Sequence, residues 1–208
     1  SRGLGDVYKR QGFAGPLPSL DLYRRSTQMA VFTPVMQWHS EPDGGQFREL
    51  MPGAEGNNER SPWNIAMAYN KPEFIEEMRY WHMLREALLP YIYESAQTAV
   101  RESRPMMRPL VFDYQADRAV TDIEDEYLFG DSLLVAPFME EDQTSRKVYL
   151  PEGKWHDLFT GRCYEGKKWH ESDRKSRLPV YIKADAMIPV DHNGKTIMVK
   201  GDDTKDIF

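Results

Sequence analysis

The sequence has a single cysteine, Cys163, among 208 residues. Because a disulfide joins two cysteines, an intrachain bridge is impossible and a disulfide-stapled fold is excluded. Long apolar runs are also missing, since none approaches the roughly 20 residues that a membrane-spanning helix needs. No membrane partner is therefore expected.

Positive charge is in short supply as well. The chain carries 27 Lys and Arg residues against 33 Asp and Glu, for a formal net charge of -6. Proteins that bind nucleic acid concentrate Lys and Arg on one face, so nucleic acid is not an expected partner. The hydrophobic content of 40% and the aromatic content of 12% are instead typical of a globular protein that buries a core.

Common catalytic and metal-binding motifs are absent. The five histidines form no H-E-x-x-H pair and have no ligand spacing to Cys163. The sequence contains no G-x-S-x-G nucleophile turn and no G-x-x-x-x-G-K-[ST] phosphate loop. The acidic run Asp122–Glu126 lacks the glycine and the ligand spacing of an EF-hand loop. We therefore expect neither a metal ion nor a cofactor.

The chain divides into segments of different character. Residues 1–11, SRGLGDVYKRQ, show no apolar periodicity and resemble translated adapter sequence, so we expect them to be non-native. Coherent sequence begins near Gly12, which indicates truncation at the N-terminus. From there to about Pro105 the pattern predicts a helix, a strand and a second helix. After Pro105, short apolar or alternating runs separated by turn residues predict an antiparallel β-domain.

Two helices are predicted in the first half. Ser19 is suited to cap a helix over Leu20–Phe32. Apolar residues at spacings of three and four predict a second helix over Glu73–Glu102, and Arg85 fills the one gap in this apolar stripe. Pro90 lies inside the second helix and is expected to kink or split it.

One histidine stands at a notable place between these helices. The run Thr33–His39, TPVMQWH, is short and apolar and predicts a buried strand, and the polar segment Glu41–Pro62 predicts a long loop. His39 therefore ends the predicted strand, and in α/β barrels this end carries the site. Two interpretations stay open: a ligand at the mouth of a binding site, or an ordinary histidine at the end of a buried strand.

The second half contains the runs that predict strands, LVFDY, LLVAPF, RKVYLP, KWHDLFTG, PVYIKA, AMIPV and TIMVK. Trp155 and Tyr181 lie inside these runs, Trp169 lies between two of them, and all three alternate as strand residues do and are predicted to lie in the core. An alternative remains: the chain is a non-catalytic carbohydrate-binding or interaction β-sandwich module, in which these aromatic rings stack on sugar faces.

Several blocks follow one another along the chain: GFAG…DLYRR…QMAVFTPVMQWHS, LREALLPYIY, RPMMRPLVFDY, EDEYLFGDSLLVAP, VYLPEGKWHDLFTG and LPVYIKADAMIPV. In this order they resemble glycoside hydrolase family 31. They cover the chain from about Gly12 to Val190. The family consists of retaining α-glycosidases, mostly α-glucosidases and α-xylosidases, with a (β/α)8 barrel followed by β-sandwich domains.

The resemblance implies a fold class of α/β plus all-β. The C-terminal portion of a (β/α)8 TIM barrel is expected over residues 12–105, and an antiparallel β-sandwich domain over residues 106–208. The implied function is that of a fragment of a retaining, α-glucosidase-like α-glycosidase that hydrolyses O-glycosidic bonds in carbohydrate metabolism. An α-glycoside or oligosaccharide is the implied substrate, and the sequence carries no signal for an oligomeric state.

The resemblance also implies two substrate-binding residues, Phe13 and His39. Phe13, in the remnant of a D-x-G-G-F motif, is similar to the aromatic residue that lines the family's sugar pocket. His39 is similar to the histidine that hydrogen-bonds hydroxyls of the sugar at the cleaved end, and a neutral imidazole can donate one such bond and accept another. Gln37 stands where many members have arginine.

The catalytic aspartates of the family are not expected in this chain. Their motifs, W-x-D-M for the nucleophile and G-D-N for the acid/base, precede the position of Gly12 in the family. Residues 155–158, WHDL, and 130–132, GDS, imitate these motifs but lie in the predicted β-domain, so we assign Asp157 and Asp131 to structure. Without a nucleophile and a proton donor, the fragment alone is predicted to be inactive.

Overall fold

The computed structural model describes residues 17–37, 60–140, 143–172 and 177–207. The chain forms two compact units: unit 1 contains Ser1–Val31 and Val35–Met83, and unit 2 contains Phe32–Pro34 and Leu84–Phe208. No helix in the described ranges is long and apolar enough to cross a membrane.

The described part of unit 1 is helical and contains α1 (Leu20–Val31), α2 (Pro62–Ala68) and most of α3 (Glu73–Ala87). Helix α1 begins where the sequence predicts, because the Ser19 hydroxyl accepts a hydrogen bond from the Leu22 amide at 3.1 Å and caps the first turn. Ser61 caps α2 in the same way.

One aromatic pair and one ion pair join α1 to α3. The rings of Tyr23 and Phe74 meet edge to face with centroids 5.8 Å apart, and the Tyr23 hydroxyl donates to the Arg60 carbonyl at 2.8 Å. The guanidinium of Arg24 donates to both carboxylate oxygens of Glu77. Such bidentate pairs fix geometry as well as contributing energy.

Proline divides the long predicted helix, as expected. Helix α3 ends at Ala87, Leu88 is fully buried at the break, and α4 spans Leu89–Glu102. Pro90 lies in the first turn of α4, where its missing N–H would have no helical partner. The predicted apolar stripe is confirmed by the buried side chains of Phe74, Met78, Trp81, Leu88 and Ile92.

The described β-strands all lie in unit 2: β1 (Met107–Pro109), β2 (Tyr127–Phe129), β3 (Leu133–Val135), β4 (Arg146–Leu150), β5 (Lys154–Asp157), β6 (Cys163–Glu165), β7 (Lys168–Ser172), β8 (Val180–Lys183), β9 (Met187–His192) and β10 (Lys195–Lys200). One sheet has the order β1-β2-β3-β8-β5-β6, and β9 pairs with β10 and β4 with β7. Every pairing is antiparallel, which confirms a β-rich second half.

The core of unit 2 includes a cluster of buried side chains from the β-strands and the segments between them: Leu110, Val120, Ile123, Leu128, Leu134, Ala136, Val148, Tyr149, Leu150, Trp155 and Tyr181. The indole N–H of Trp155 also donates to the Pro151 carbonyl at 2.9 Å, so this buried polar group has a hydrogen-bond partner inside the core.

The predicted strand Thr33–His39 is wrong over its described part. Residues 33–37 form no strand, and the Val35 side chain is 71% exposed. The described residues of the first half, 17–37 and 60–105, contain no β-strand. Residues 33–37 therefore have no strand of that half to pair with. Pro34 also has no N–H to contribute to one.

The predicted strand in the run LVFDY is also wrong. It contains a short helix, α5, over Leu110–Asp113, and the strand β1 ends just before it. The turn is held because the Asp113 carboxylate accepts hydrogen bonds from Arg104 and Arg108. These partners are separated from Asp113 by only five to nine residues, but an apolar pattern does not show them.

The core prediction is confirmed for Trp155 and Tyr181 and wrong for Trp169, whose side chain is 53% exposed. Trp169 lies on β7, which among the described strands pairs with β4 alone, and its ring contacts Tyr149 with centroids 5.3 Å apart. An antiparallel pair can leave one face to solvent, so alternation along β7 did not identify a buried face.

A glycine in the turn between β2 and β3 supplies a stability test. Gly130 has a φ of 61°, and a Cβ added there would lie 2.2 Å from the Tyr91 hydroxyl oxygen. We expect Gly130→Ala to lower the free energy of unfolding by roughly 2–4 kcal/mol, because left-handed strain and overpacking add. Urea denaturation of the chain measures this loss.

Gly194→Ala is the matched control for this change. Gly194 also has a left-handed φ, of 77°, but nothing lies within 4 Å of its added Cβ. Its loss is therefore expected to be about 1 kcal/mol, from backbone strain alone. Equal losses for the two variants would show that the Tyr91 contact does not matter.

Candidate functional site

The two predicted substrate-binding residues, Phe13 and His39, lie outside the described residues. The segment that leads toward His39 is described as far as Gln37, whose side chain is exposed. The structure therefore describes the backbone that precedes His39, as far as Gln37.

Three consecutive backbone carbonyls in this segment accept hydrogen bonds from side chains. The Tyr127 hydroxyl donates to the Phe32 carbonyl at 3.1 Å. The two terminal nitrogens of Arg85 donate to the carbonyls of Thr33 and Pro34, at 2.5 and 3.0 Å. These bonds take the place of the ladder that a β-strand would have made, and they hold residues 32–34 of unit 2 in a defined path.

Arg85 is well suited to this task. A guanidinium presents several donors in a rigid plane and can therefore serve two adjacent carbonyls at once. Burial lowers the pKa of Arg85, but arginine stays protonated at neutral pH even so. The sequence shows Arg85 only as a gap in an apolar helix stripe. A charged residue at a core-facing helical position was the available signal for this role.

The first imitation of a catalytic motif is structural. Asp157, at the end of β5, is buried, and its Oδ1 atom accepts hydrogen bonds from the amides of Phe159 and Thr160 at 3.0 and 2.9 Å. The Thr160 hydroxyl donates to the same oxygen at 2.9 Å. A carboxylate that holds its own turn in this way is a poor nucleophile, because attack would break the turn.

The second imitation belongs to an ion network. Asp131 follows β2, is half exposed, and accepts from Arg104 at 3.0 Å and from Arg108 at 2.9 Å. Both arginines also bind Asp113. Burial acts to raise the pKa of Asp113, but the hydrogen bonds and charges of Arg104 and Arg108 outweigh it and lower the pKa.

A strongly shifted carboxyl lies in unit 2 at Glu126. Burial raises its pKa to about 8, and only the amide of Tyr149 and the charge of Arg146 act in the other direction. A raised carboxyl pKa is typical of a general acid. The Glu126 side chain has no exposed surface, however, so no substrate can reach it. We assign Glu126 to structure.

Cavities lie in both units, whereas the described residues contain no metal centre. In unit 1 a mainly apolar pocket of about 310 Å³ is lined by Pro62, Trp63, Ile75, Met78, Arg79 and His82. His82 is held there by a 2.7 Å contact between Nδ1 and the Met78 carbonyl. A more polar cavity lies in unit 2. Nowhere in the described ranges do three His, Cys, Asp or Glu side chains meet as metal ligands would.

Each half of the chain matches the model of a known protein domain. The model of the "Glycosyl hydrolases family 31 TIM-barrel domain" matches residues 11–95. The model of the "Glycosyl hydrolase family 31 C-terminal domain" matches residues 103–188. The predicted order of a barrel segment followed by a C-terminal β-rich domain is thereby confirmed.

Individual proteins agree with the family models. An isomaltosyltransferase from Sporosarcina globispora is 35% identical over 185 residues, which are 88% of this chain and 16% of that protein. A cycloalternan-forming enzyme from Listeria monocytogenes, solved with a pentasaccharide substrate, is 38% identical with a TM-score of 0.78, over 86% of this chain and 16% of that one.

A third relative has been solved in a chemically informative state. A cycloalternan-degrading enzyme from Trueperella pyogenes, in complex with a covalent intermediate, is 31% identical with a TM-score of 0.73 and covers 84% of this chain and 23% of that one. The chain thus spans 16% of the length of the first two relatives and 23% of the length of the third. Two models of one family match consecutive parts of the chain, and the chain therefore belongs to glycosyl hydrolase family 31.

Proposed function

We propose that this chain is part of a retaining α-glycosidase that cleaves α-linked gluco-oligosaccharides. The observation that carries the proposal is the consecutive match to the barrel and C-terminal domains of family 31. A covalent intermediate in the Trueperella pyogenes relative supports the retaining route, in which a carboxylate forms a glycosyl-enzyme that water then hydrolyses.

The chain supplies only a part of that machinery. It covers 16% of the isomaltosyltransferase and 23% of the Trueperella pyogenes chain. We place the nucleophile and the acid/base in the barrel sequence upstream of Gly12, and the described carboxylates Asp131 and Asp157 have structural partners instead. The 208-residue chain alone is expected to be inactive, whereas the complete protein is expected to hydrolyse α-glucosides.

The finer architecture is part of the same proposal. Residues 12–105 complete the barrel and residues 106–208 form a β-sandwich, while residues 1–11 are non-native. The antiparallel sheet of six strands and the β4–β7 and β9–β10 pairs are the layers from which a sandwich would be built. Phe13 lines the sugar pocket, and His39 binds sugar hydroxyls beyond the segment that Arg85 and Tyr127 hold.

The substrate is an α-glucan oligosaccharide with glucose at the cleaved end. One relative transfers isomaltosyl units by name, and the Listeria monocytogenes relative was solved with a pentasaccharide substrate. Hydrolysis of isomaltose, maltose and panose by the complete protein, with the anomer of the released sugar followed by NMR, tests the proposal. Release of an α-anomer supports retention, and release of a β-anomer would contradict it.

The alternative of a non-catalytic binding module has lost most of its support. It required Trp155, Trp169 and Tyr181 to stack on sugars, but Trp155 and Tyr181 are buried in the core of unit 2. Only Trp169 is exposed, and the match to a catalytic barrel domain over residues 11–95 is not expected of such a module.

A substitution at His39 tests the proposed sugar contact. In the complete protein, His39→Ala is expected to lower kcat/KM by about 5- to 150-fold, which corresponds to the roughly 1–3 kcal/mol of a lost hydrogen bond to a sugar hydroxyl. Steady-state hydrolysis of isomaltose and maltose measures the loss. Unchanged kinetics would refute the assignment.

Asp157→Asn is the matched control in the same assay. The asparagine side chain keeps an oxygen that can accept from the Phe159 and Thr160 amides, so the turn after β5 is retained. We expect kcat/KM to change less than about threefold, a free-energy difference below about 1 kcal/mol. A thousandfold loss would identify Asp157 as catalytic and overturn the structural assignment.

A further inference from the structure

A polar cavity in unit 2 has no role in the proposed catalysis. It has a volume of about 560 Å³ and lies where strand β5 begins and strand β8 ends. Its lining includes Tyr114, Glu152, Gly153, Lys154, Lys183 and Asp185. The cavity is therefore built by one short turn, two strand ends and the residue that follows helix α5.

The backbone around this cavity is fixed by hydrogen bonds. The Ala184 amide donates to the Lys154 carbonyl at 2.9 Å, and the Lys183 amide donates to the Ser132 carbonyl at 3.0 Å. The turn at Gly153 is held by the Gly166 amide, which donates to the Gly153 carbonyl at 2.7 Å. A cavity with such walls exists before a ligand arrives, which lowers the entropic cost of binding.

Three polar side chains of the lining have no hydrogen-bond or ion-pair partner among the described residues. They are the Tyr114 hydroxyl, the Lys183 ammonium and the Asp185 carboxylate. Burial raises the pKa of Tyr114 to about 12, with the negative charges of Asp113 and Asp185 adding to it, and burial lowers the pKa of Lys183. The Tyr114 hydroxyl and the Lys183 ammonium are thus partly shielded from bulk water. They can form hydrogen bonds with water or a ligand inside the cavity.

The charges of the lining favour a neutral ligand over an anion. Lys154 and Lys183 are balanced by Glu152 and Asp185, which gives two positive and two negative side chains and a net charge of zero. Two of these charges are already engaged, since Lys154 contacts Glu165 at 3.4 Å and Glu152 contacts Lys167 at 3.2 Å. A phosphate at Lys183 would also meet the negative charges of Asp113, Asp131 and Asp185, which act on the Lys183 ammonium.

The remaining free groups match the hydroxyls of a sugar. Lysine only donates, a carboxylate only accepts, and a phenol does both. A sugar hydroxyl also does both, so adjacent hydroxyls can accept from Lys183 and donate to Asp185. The Tyr114 ring adds an apolar surface of the kind that small-molecule sites combine with a few polar groups.

We propose that this cavity binds a neutral gluco-oligosaccharide, with Lys183 and Asp185 hydrogen-bonded to hydroxyls of one sugar ring and Tyr114 in contact with that ring. Glucose as the sugar unit rests on the proposed function, whereas the preference for a neutral, hydroxyl-rich ligand rests on the cavity itself. Such a site would keep the chain in contact with a polymeric or branched substrate without taking part in bond cleavage.

NMR titration of the ¹⁵N-labelled chain with isomaltotriose tests this proposal at the level of single residues. The sugar is added to about 20 mM, because a ligand held by a few exposed hydrogen bonds binds with a Kd of order 1 mM. We expect saturable shifts at the amides of Tyr114, Gly153, Lys183 and Asp185. Inorganic phosphate at the same concentration is the ligand control and is expected to leave these amides in place.

Two variants examine the side chains. Asp185→Asn and Tyr114→Ala are each expected to weaken isomaltotriose binding about tenfold, the effect of losing roughly one good hydrogen bond or ring contact. Glu171→Ala, at an exposed carboxylate on β7, is the matched control and is expected to bind as the unsubstituted chain does. The remaining amide signals of each variant report whether the fold is intact, and Asp185→Asn preserves the size of the side chain.

Several outcomes would overturn the inference. Absence of shifts in the cavity, shifts confined to other residues, equal shifts with phosphate, or undiminished binding in both variants would each do so. None of them bears on hydrolysis by the complete protein, which is measured separately. Conversely, a complete protein that cleaves no α-glucoside would refute the proposed function and leave residue-specific binding in the cavity as a separate result.

Discussion

Replacing Glu126 with glutamine is expected to make the folded state markedly more stable at alkaline pH. Burial raises the pKa of Glu126 from 4.5 to about 8, so the folded state holds a proton that the unfolded state releases. The stability that Glu126 contributes is therefore fully present below pH 4.5 and is lost as the pH rises toward 8. Glu126→Gln removes this titration and is expected to gain roughly 3–5 kcal/mol at pH 9, at about 1.4 kcal/mol per pH unit.

The surroundings of Glu126 explain why burial prevails over its neighbouring cation. Arg146 lies 3.7 Å from Glu126 Oε1, but its guanidinium is closer to Asp125, at 2.7 Å. It also donates to the carbonyls of Asp125 and Pro137. The Oε2 atom of Glu126 is buried and has no hydrogen-bond partner among the described residues, so a negative charge there is poorly compensated.

The measurement is urea denaturation of the chain and its variant between pH 4.5 and 9. The difference between the two proteins isolates Glu126 from other titrating groups. Glu124→Gln, which neutralises an exposed neighbour, is the matched control and is expected to show no such pH-dependent gain. If Glu126→Gln were less stable than the parent chain at pH 9, an ionised Glu126 paired with Arg146 would be the correct description.

Replacing Arg108 with methionine is expected to cost about 3–5 kcal/mol of unfolding free energy. The Arg108 side chain is only 3% exposed and is bound to Asp113 and Asp131 at 3.0 and 2.9 Å. It also donates to the carbonyls of Pro105 and Gly130 at 2.8 and 3.0 Å. Methionine fills similar space but leaves the Asp113 carboxylate and two carbonyls without this donor.

Arg104→Met provides the comparison, because Arg104 binds the same two carboxylates. Its side chain is 32% exposed, so water can replace its hydrogen bonds, and a loss of about 1 kcal/mol is expected. Thermal and urea denaturation at neutral pH measure both variants. Similar losses for the two would mean that the number of ion pairs, rather than burial, determines stability here.

These arginines also determine how the chain responds to acid. The pKa of Asp113 lies below its ordinary value, so the stability that it contributes is present at neutral pH and is lost as the pH falls through the lowered pKa. Arg108→Met removes a hydrogen bond that lowers this pKa. The variant is therefore expected to lose less additional stability below pH 4 than the parent chain does.

Local sequence signals predicted much of the secondary structure. Ser19 and Pro90 act through backbone geometry at their own positions, and the structure confirms the start of α1 and the division of the long helix. Alternating apolar runs identified β4, β5 and β8 because each belongs to an antiparallel pairing and has side chains buried in the core of unit 2. Short strands such as β2 and β6, with three residues each, were too brief to show a period.

Long-range contacts account for what was mispredicted. Thr33 and Pro34 have the composition of a strand, but their carbonyls bind Arg85, which lies more than fifty residues away in sequence. Trp169 alternates like a core residue but lies on a strand that has one partner, β4, in the described part of the chain. For the candidate site, the resemblance to family 31 indicated His39, whereas the anchors of the preceding segment, Arg85 and Tyr127, became visible only through their hydrogen bonds.

The sequence by itself determined the start of α1, the division of the long helix at Pro90, the antiparallel character of the second half and membership in family 31, because each depends on residue type and order along the chain. Only the tertiary structure decided which charges are buried, how residues 32–34 are held, and that Tyr114, Lys183 and Asp185 line one cavity. Those properties depend on distances between residues far apart in sequence. No local pattern encodes such distances, since the energy of a charge or a hydrogen bond depends on its surroundings.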